Sequence, residues 1–222
     1  MESSQHDFQP SASLTEQIAD HIADEIICGR MAARERIREL RIARTLGVSR
    51  GSVREALLLL ERRHLIKMIP RRGAMVADLS RRQLDDLYEL LETLFGSIAT
   101  RMAQLWDEDD RPLFAARMDA MATAAARDDL TAYADATDAF VLSALAMVRN
   151  QYLATIVDAL LPVSRRALFR VRELDGQALT SDLLHWQALL EAMADQSVGR
   201  IEAVLQAMFA SHREILARSV SH

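Results

Sequence analysis

The clearest chemical pattern of this chain lies in the segment Ser49-Arg50-Gly51-Ser52-Val53-Arg54. Residues four apart project from one side of a helix, so Arg50 and Arg54 would reach outward together. An arginine fork can bond two acceptors on a guanine edge, and the free N–H groups at a helix start suit a phosphate. Ser49 can cap that start, while Gly51 and Ser52 are small enough to let a nucleic-acid backbone approach. The pattern predicts a DNA contact; two solubilising arginines on a helix are the alternative.

Three predicted helices position this segment. Isoleucines at every fourth position from 18 to 26 indicate a first amphipathic helix. A second, short helix covers about 37–46, and a third runs from Ser49 to about Arg63. The turn between the last two contains Gly47. Two helices joined by such a turn form a helix-turn-helix, whose second helix enters the major groove of DNA.

A hairpin is predicted after the third helix. Two short apolar segments, 65–69 and 74–77, have the length of strands. The turn between them, 70–73, ends in Arg72 and Gly73. A hairpin with a cationic tip is the wing of a winged helix, and we expect the tip to contact phosphate or the minor groove.

Positive charge is concentrated in one part of the chain. From Arg30 to Arg72 there are 13 Lys or Arg and four Glu, a local balance of +9, whereas the whole chain carries −5. Such segregation indicates that one segment meets a polyanion while the rest stays acidic. A solvated basic face is the alternative that charge alone leaves open.

Several classes of protein are disfavoured by the composition. No apolar run approaches the roughly 18 residues that cross a bilayer, and residues 1–10 lack a secretory signal pattern. The single Cys28 excludes an internal disulfide and Cys-rich zinc modules. We expect a cytoplasmic protein without a membrane partner. It would comprise a disordered tail (1–12), a winged helix-turn-helix domain (13–78) and a second domain (79–222).

The segment 46–57, LGVSRGSVREAL, resembles the signature of the GntR family of bacterial regulators. The turn 70–73, followed by Val76, resembles that family's wing, and the likeness covers about residues 14–78. The resemblance implies DNA contacts from Ser49, Arg50, Gly51, Arg54, Arg72 and Gly73. One departure is His64, where the family usually has Gly at the end of the recognition helix. We expect slight strain there, because His tolerates a left-handed backbone less well than Gly.

Helical patterning continues almost without interruption from Ser80. Candidate helices cover about 81–106, 110–126, 129–148, 151–173, 178–194 and 197–218. Pro162 lies inside one of these stretches and is expected to kink or split it. The predicted fold is therefore mainly α, with an N-terminal winged helix-turn-helix and a C-terminal all-helical bundle of six or seven helices.

After such an N-terminal domain, the bundle resembles the FadR-C-terminal-domain (FCD) subgroup. That subgroup forms dimers and binds small ligands, often on a metal held by one Asp and three His. With Asn150 as the anchor, those four ligand positions fall on Thr137, Val141, Trp186 and Met208, and two polar positions of an earlier helix fall on Leu91 and Phe95. Three of the four are not usual ligands, and a thioether suits harder divalent ions poorly. We expect these six residues to line a largely apolar ligand pocket, without a metal or other cofactor.

A shift of register leaves a second interpretation of this pocket. Close in sequence to the lost ligands lie His185, His212 and either Asp138 or Asp135. Two His and one Asp from this set would form a displaced metal site. Nearby arginines point to a hydrophobic carboxylic acid as effector, although surface charges are the plainer interpretation: Arg165, Arg166, Arg170 and Arg172.

The predicted function is that of a ligand-responsive transcriptional regulator that binds a palindromic operator as a homodimer. The resemblance to the GntR family favours a repressor over an activator. The alternatives are a metal-dependent enzyme built on the helical bundle and a helical module that binds an acidic protein partner. No glycine-rich phosphate loop follows a predicted strand and no His-Glu-x-x-His run is present, so we expect no enzyme activity.

Overall fold

The computed structural model describes residues 13–218, which divide between Asp78 and Leu79 into two compact units. The predicted tail at 1–12 lies outside the described residues. None of the helices described is long and apolar enough to cross a membrane. Each unit buries its own set of apolar side chains and is described separately.

Three helices frame the first unit: α1 (Leu14–Ile27), α2 (Glu39–Leu46) and α3 (Arg50–Arg62). Helix α1 begins in a capping box, in which the Ser13 hydroxyl accepts the Glu16 N–H and the Glu16 carboxylate accepts the Ser13 N–H. Its isoleucines at 18, 22 and 26 are buried, and α1 packs on α3. The face of α3 that α1 covers is thereby kept from solvent.

A three-stranded antiparallel sheet completes this unit, in the order β1-β3-β2, with β1 (Arg36–Ile37), β2 (Ile66–Ile69) and β3 (Gly73–Val76). The predicted hairpin is present, and Ile69 pairs with Gly73 across the wing turn. The placement of Ile37 in the second helix was wrong, because Ile37 pairs with Ala74 and α2 begins at Glu39. A strand of two residues has no readable alternation, so only its pairing with β3 defines it.

The left-handed residue that ends α3 is His64, with φ +58°. Its N–H donates to the Glu61 carbonyl at 3.0 Å, and the Leu65 N–H donates to the Leu60 carbonyl at 3.1 Å. These two bonds form a Schellman motif, and the buried Leu60 and Leu65 supply the apolar contact that accompanies it. His64 therefore occupies a backbone conformation that suits glycine better.

Replacing His64 with glycine should raise the free energy of unfolding by about 0.5–1 kcal/mol, because the contact between Cβ and the backbone in the left-handed region is removed. Urea unfolding of the two proteins measures this difference. Arg63→Gly is the control for a glycine at negative φ: Arg63 has φ −84°, and its replacement should lower the stability because it also removes the ion pair with Asp20 at 2.6 Å. A His64→Gly protein that is no more stable than the parent would show that the cap is unstrained.

The second unit is a bundle of helices, and the predicted mainly α fold is confirmed. In the part of the chain described, its α-helices are α4 (Arg81–Leu105), α5 (Arg111–Ala126), α6 (Leu130–Val148), α7 (Gln151–Leu174), α8 (Ala178–Ala194) and α9 (Val198–Arg218). A 3-10 turn at Glu108–Asp110 precedes α5. Helix α4 packs on α6 and α9, and α8 packs on α5 and α9, so one core lies between them.

Helix α7 runs unbroken through Pro162, so the expected split does not occur. Proline removes one helical hydrogen bond and costs about 3 kcal/mol in a helix interior. Val157 and Leu160 before it and Val163 after it are all buried in the core. The packing of both halves on neighbouring helices holds the helix together, which local propensity does not reveal.

Candidate nucleic-acid interface and ligand cavity

The start of α3 is a capped helix N-terminus at the surface. The Ser49 hydroxyl accepts the Ser52 N–H at 3.0 Å, and the two hydroxyl oxygens lie 2.9 Å apart. Both serines therefore build the cap in this structure. Ser49 and Gly51 are exposed and Ser52 is half-buried. The surrounding Gly47-Val48-Ser49-Arg50-Gly51 has the spacing of a hydrolase nucleophile turn, but it joins two helices, and Ser49 is occupied as a cap.

Arg50 and Arg54 are exposed on the first turns of α3. The opposite stripe of the helix is fully buried and consists of Val53, Ala56, Leu57 and Leu60. Arg50 lies 3.9 Å from a Glu39 carboxylate oxygen, and its side chain remains 67% exposed. That separation is too long for a strong bond, so the guanidinium is available to another partner. Because one side of α3 packs in the core, Arg50 and Arg54 project into solvent from its other side.

Gly51 is not required by the protein's own packing. A Cβ placed there would lie 3.5 Å from the Ser49 hydroxyl oxygen, which is ordinary contact. The backbone at Gly51 is also free of the positive φ that demands glycine. A bare backbone at an exposed helix start therefore fits close approach by a partner, as the sequence predicts.

The wing tip carries its arginines into solvent. Arg72 is exposed, and its N–H donates to the Ile69 carbonyl at 3.0 Å, which closes the turn. Gly73 has φ +83° and opens β3. A side chain at Gly73 would be strained even though space is free around it. Gly73 therefore shapes the tip, whereas Arg72 supplies its charge.

In the second unit, the six residues predicted for a ligand pocket line a single cavity of about 70 Å³: Leu91, Phe95, Thr137, Val141, Trp186 and Met208. They come from four helices, α4, α6, α8 and α9. A cavity that holds a single water needs about 10–15 Å³, so this one has room for a small organic molecule. Whether these residues bind an effector stays a prediction.

One part of the cavity is polar and was not predicted. Asp182 is 3% exposed, and its Oδ2 accepts the Tyr133 hydroxyl at 2.9 Å and the Trp186 indole N–H at 3.1 Å. Nε2 of His212 lies 3.2 Å from the other oxygen, Oδ1, without the geometry of a hydrogen bond. Burial and the negative charge of Asp182 raise the pKa of Tyr88, which also lines the cavity. An acidic residue inside the apolar stripe of α8 is the sequence signal that could have found this cluster.

A second charged group lies at another part of the lining. Arg165 of α7 forms ion pairs with Asp135 and, at 3.3 Å, with Asp138, both on α6. Burial raises the pKa of Asp138 to about 6; the positive charge of Arg165 opposes this shift, and the charge of Asp135 adds to it. The Arg165 cation is therefore shared between two carboxylates.

Comparison with known families assigns both units. Residues 14–76 match the bacterial regulatory proteins of the gntR family, and residues 86–211 match the FCD domain. The chain belongs to the GntR family. As a GntR regulator with an FCD domain, it is a DNA-binding transcriptional regulator and not an enzyme.

Similar proteins include two curated HTH-type transcriptional regulators. One, from the TAR-I ttuE-ttuC' intergenic region of Agrobacterium vitis, is 33% identical over 109 residues, which are 46% of this chain and 61% of the relative. The other, YdhC of Bacillus subtilis, is 34% identical over 74 residues, a third of each chain (33%). The matched part of this GntR protein thus spans less than two thirds of either relative.

Solved structures show the same fold at low sequence identity. E. coli McbR/YncC superposes with a TM-score of 0.78 at 19% identity, over 95% of this chain and all (100%) of that one. A GntR transcriptional regulator from Rhodococcus sp. RHA1 gives a TM-score of 0.70 at 20% identity, over 91% and 97% of the two chains. These likenesses establish the architecture of the GntR chain.

The displaced metal site is not assembled by the described residues of this GntR protein. Asp138 and His212 line the cavity, but His185 does not. Within residues 13–218 no three His, Cys, Asp or Glu side chains are grouped to hold a metal ion. His185 directly precedes Trp186, so it lies about 100° around α8 from a residue that faces the cavity. The expectation that no metal is bound stays a prediction.

The contribution of Asp138 to the stability of the regulator should fall as the pH rises from about 4 to about 6. The folded state retains the Asp138 proton in this window, whereas an unfolded Asp with a pKa near 3.8 has lost it. The stability that the raised pKa provides is present at low pH and lost above about pH 6, on the order of 1–3 kcal/mol.

Urea unfolding of the parent and of Asp138→Asn at several pH values isolates this contribution. As the pH rises, the free energy of unfolding of the parent should fall relative to that of the variant. The reason is that Asn, like the protonated acid, stays uncharged. Asp135→Asn is the control, since Asp135 meets the same arginine with a side chain that is 62% exposed, and its charge is the smallest of the three contributions to the pKa of Asp138; this variant should keep most of the parent's decline. Parallel curves for the parent and Asp138→Asn would contradict the assignment.

Proposed function

We propose that this GntR regulator binds a palindromic operator as a homodimer and acts as a repressor. The observation that carries the proposal is the start of α3, where Arg50 and Arg54 are exposed while the other side of the helix is buried. A twofold pair of such helices would match two half-sites of a palindrome about one helical turn apart. Since a regulator that binds DNA must reach the DNA of the cell, we also propose a cytoplasmic location.

The wing adds the second set of DNA contacts in this proposal. Arg72 at the tip supplies positive charge for phosphate or the minor groove, and Gly73 gives the turn its shape. In this proposal Ser49 and Ser52 cap α3. Together with Gly51, their small side chains leave room for the DNA backbone at the start of the helix. Arg50 and Arg54 then provide the fork geometry that distinguishes guanine from other bases.

A small molecule in the C-terminal cavity is the proposed effector. Its binding changes operator affinity only as far as it favours one state of the protein over another. The support is the cavity itself, lined by the six residues at positions 91, 95, 137, 141, 186 and 208. The proposed direction of control, repression, rests on the habit of the family.

Mobility-shift titration against genome-derived fragments tests the proposal. A specific regulator should prefer its own site by at least about a thousandfold and show a steep fall of affinity with salt. Arg72→Ala should weaken operator and unrelated DNA about equally, because a phosphate contact carries no sequence information. Equal affinity for all fragments in the parent protein would contradict operator recognition.

Light scattering of the free protein and of the complex tests the dimer. A mass of two chains on one operator, with two protected half-sites in a footprint, agrees with the proposal. One chain on one half-site at saturation would contradict it. A reporter gene behind the operator then separates repression from activation.

A further inference from the structure

We propose that the effector cavity of this regulator is built for a small organic ammonium ion with an apolar body. The inference rests on the proposed function of the cavity and names the class of ligand. It is carried by three buried polar atoms: Asp182 Oδ1, the Tyr88 hydroxyl oxygen and His212 Nε2. All three belong to residues that line the cavity.

These three atoms make no hydrogen bond within the described residues, although Tyr88, Asp182 and His212 are 3%, 3% and 8% exposed. A buried polar group without a partner is costly, and a buried carboxylate is more so. The other oxygen of Asp182 is satisfied by Tyr133 and Trp186, which holds the carboxylate in place. The remaining oxygen of Asp182, Oδ1, is thus oriented toward the cavity lining, and its near polar neighbour is His212 Nε2 at 3.2 Å.

A primary ammonium group supplies what this cluster lacks. It carries one positive charge and three N–H donors, and it has no acceptor. Asp182 Oδ1 and the Tyr88 oxygen can each accept one of them, and so can His212 when its Nε2 carries no proton. The charge of the ligand would also compensate the buried carboxylate, which a neutral alcohol cannot do.

The rest of the lining suits the apolar body of such a ligand. Phe95, Trp186 and Phe209 form an aromatic wall, with ring centroids 6.0 Å apart in the pairs Phe95–Trp186 and Phe95–Phe209. Aromatic faces attract organic cations, more strongly where water is excluded. A volume of about 70 Å³ limits the ligand to roughly the size of one ring.

The charges around the cavity disfavour the hydrophobic carboxylic acid that the sequence suggested. Of Arg165, Arg166, Arg170 and Arg172, only Arg165 lines the cavity, and it is paired with Asp135 and Asp138. Arg170 pairs with Glu173, and Arg172 pairs with Asp128. A carboxylate would meet Asp138 and Asp182, and the only arginine of the lining has both terminal nitrogens in ion pairs, with Nε alone left without a partner among the described residues.

Three probes of matched shape test the head group: benzylamine, benzyl alcohol and benzoate. Calorimetric titration into the full chain near pH 7 should give benzylamine a Kd at least about tenfold lower than that of benzyl alcohol, with benzoate weakest. Benzoate as the tightest probe, equal affinity for all three, or no binding by any of them would each overturn the proposal.

Variants assign the preference to the cluster. Asp182→Asn keeps an acceptor for Tyr133 and Trp186 but removes the charge, so the preference for benzylamine should disappear. Glu191→Gln is the matched control, because Glu191 lies on the same helix with a side chain that is 71% exposed, and it should keep the preference. Tyr88→Phe gives an independent test, with benzylamine weakened by about threefold or more and benzyl alcohol less affected. Unchanged selectivity in Asp182→Asn, or in Tyr88→Phe if the first variant does not fold, would overturn the assignment.

The two proposals fail in different ways. If benzylamine binds as expected but leaves the operator shift unchanged, the cavity chemistry stands and its role as an effector site falls. If a carboxylate binds and releases the operator, the effector site stands and the ammonium assignment falls. Operator shifts with and without each probe, run beside the calorimetry, separate these outcomes.

Discussion

Arg50→Ala and Arg54→Ala should each weaken operator binding by about 1–3 kcal/mol, or roughly 5- to 150-fold, while affinity for unrelated DNA changes much less. Each guanidinium projects from the exposed side of α3, where a bidentate contact to a base edge is worth that much discrimination. The loss of affinity should depend on the DNA sequence. It should be smaller on operators in which the base pair that the arginine contacts is altered. Mobility-shift titration on the operator and on single-base variants measures both effects.

Arg62→Ala is the matched control for this pair. Arg62 is an exposed arginine of the same helix, but it lies in the last turn, away from the end that enters a groove. We expect it to weaken the operator and unrelated DNA together, through lost charge alone. Unchanged operator binding in both Arg50→Ala and Arg54→Ala would show that another surface reads the DNA.

Phe140→Ala should lower the free energy of unfolding by about 3–5 kcal/mol. Phe140 is 2% exposed and lies edge-on to two rings, with centroids 5.2 Å from both Phe114 and Trp186. Truncation removes these contacts and leaves a hole beside the wall of the cavity, because the helices around it relax only in part. Urea unfolding followed by far-ultraviolet circular dichroism gives the value.

Leu142→Ala on the same helix is the control for burial. Leu142 lies two residues away on α6 and is 47% exposed, so its truncation should cost less than about 1 kcal/mol. Similar losses in the two variants would indicate that the face of Leu142 is covered in solution. A loss below about 1 kcal/mol in Phe140→Ala would show that the core around Trp186 is loosely packed.

Much of the DNA-binding unit could be predicted from the residues in order along the chain. Caps, turn residues and apolar spacing are local signals, and Ser49, Gly47 and the stripe ending at Leu60 place α3 to within one residue. The wing follows from Gly73 and the short apolar segments beside it. The two-residue strand β1 could not be predicted, because its conformation comes from pairing with β3 rather than from Ile37 itself.

The sequence predicted the apolar residues of the cavity but not its buried polar cluster. The resemblance to the FCD subgroup predicts pocket positions such as Thr137 and Met208, and the fold brings them to one cavity. The cluster around Asp182 was missed, since its partners Tyr133 and His212 come from other helices, α6 and α9. The acidic Asp182 within an apolar stripe is a local signal, but no local pattern identifies its partners on α6 and α9.

The amino-acid order by itself determined the helices, the exposed arginines of α3 and the basic character of the first unit, because helix periodicity, capping and charge act over a few neighbouring residues. Tertiary structure alone decided that α7 continues through Pro162, that Ile37 joins a sheet, and that Asp182 lies buried with one oxygen open to a cavity. These outcomes depend on which surfaces of distant segments pack together, and their energies arise only once that packing has formed.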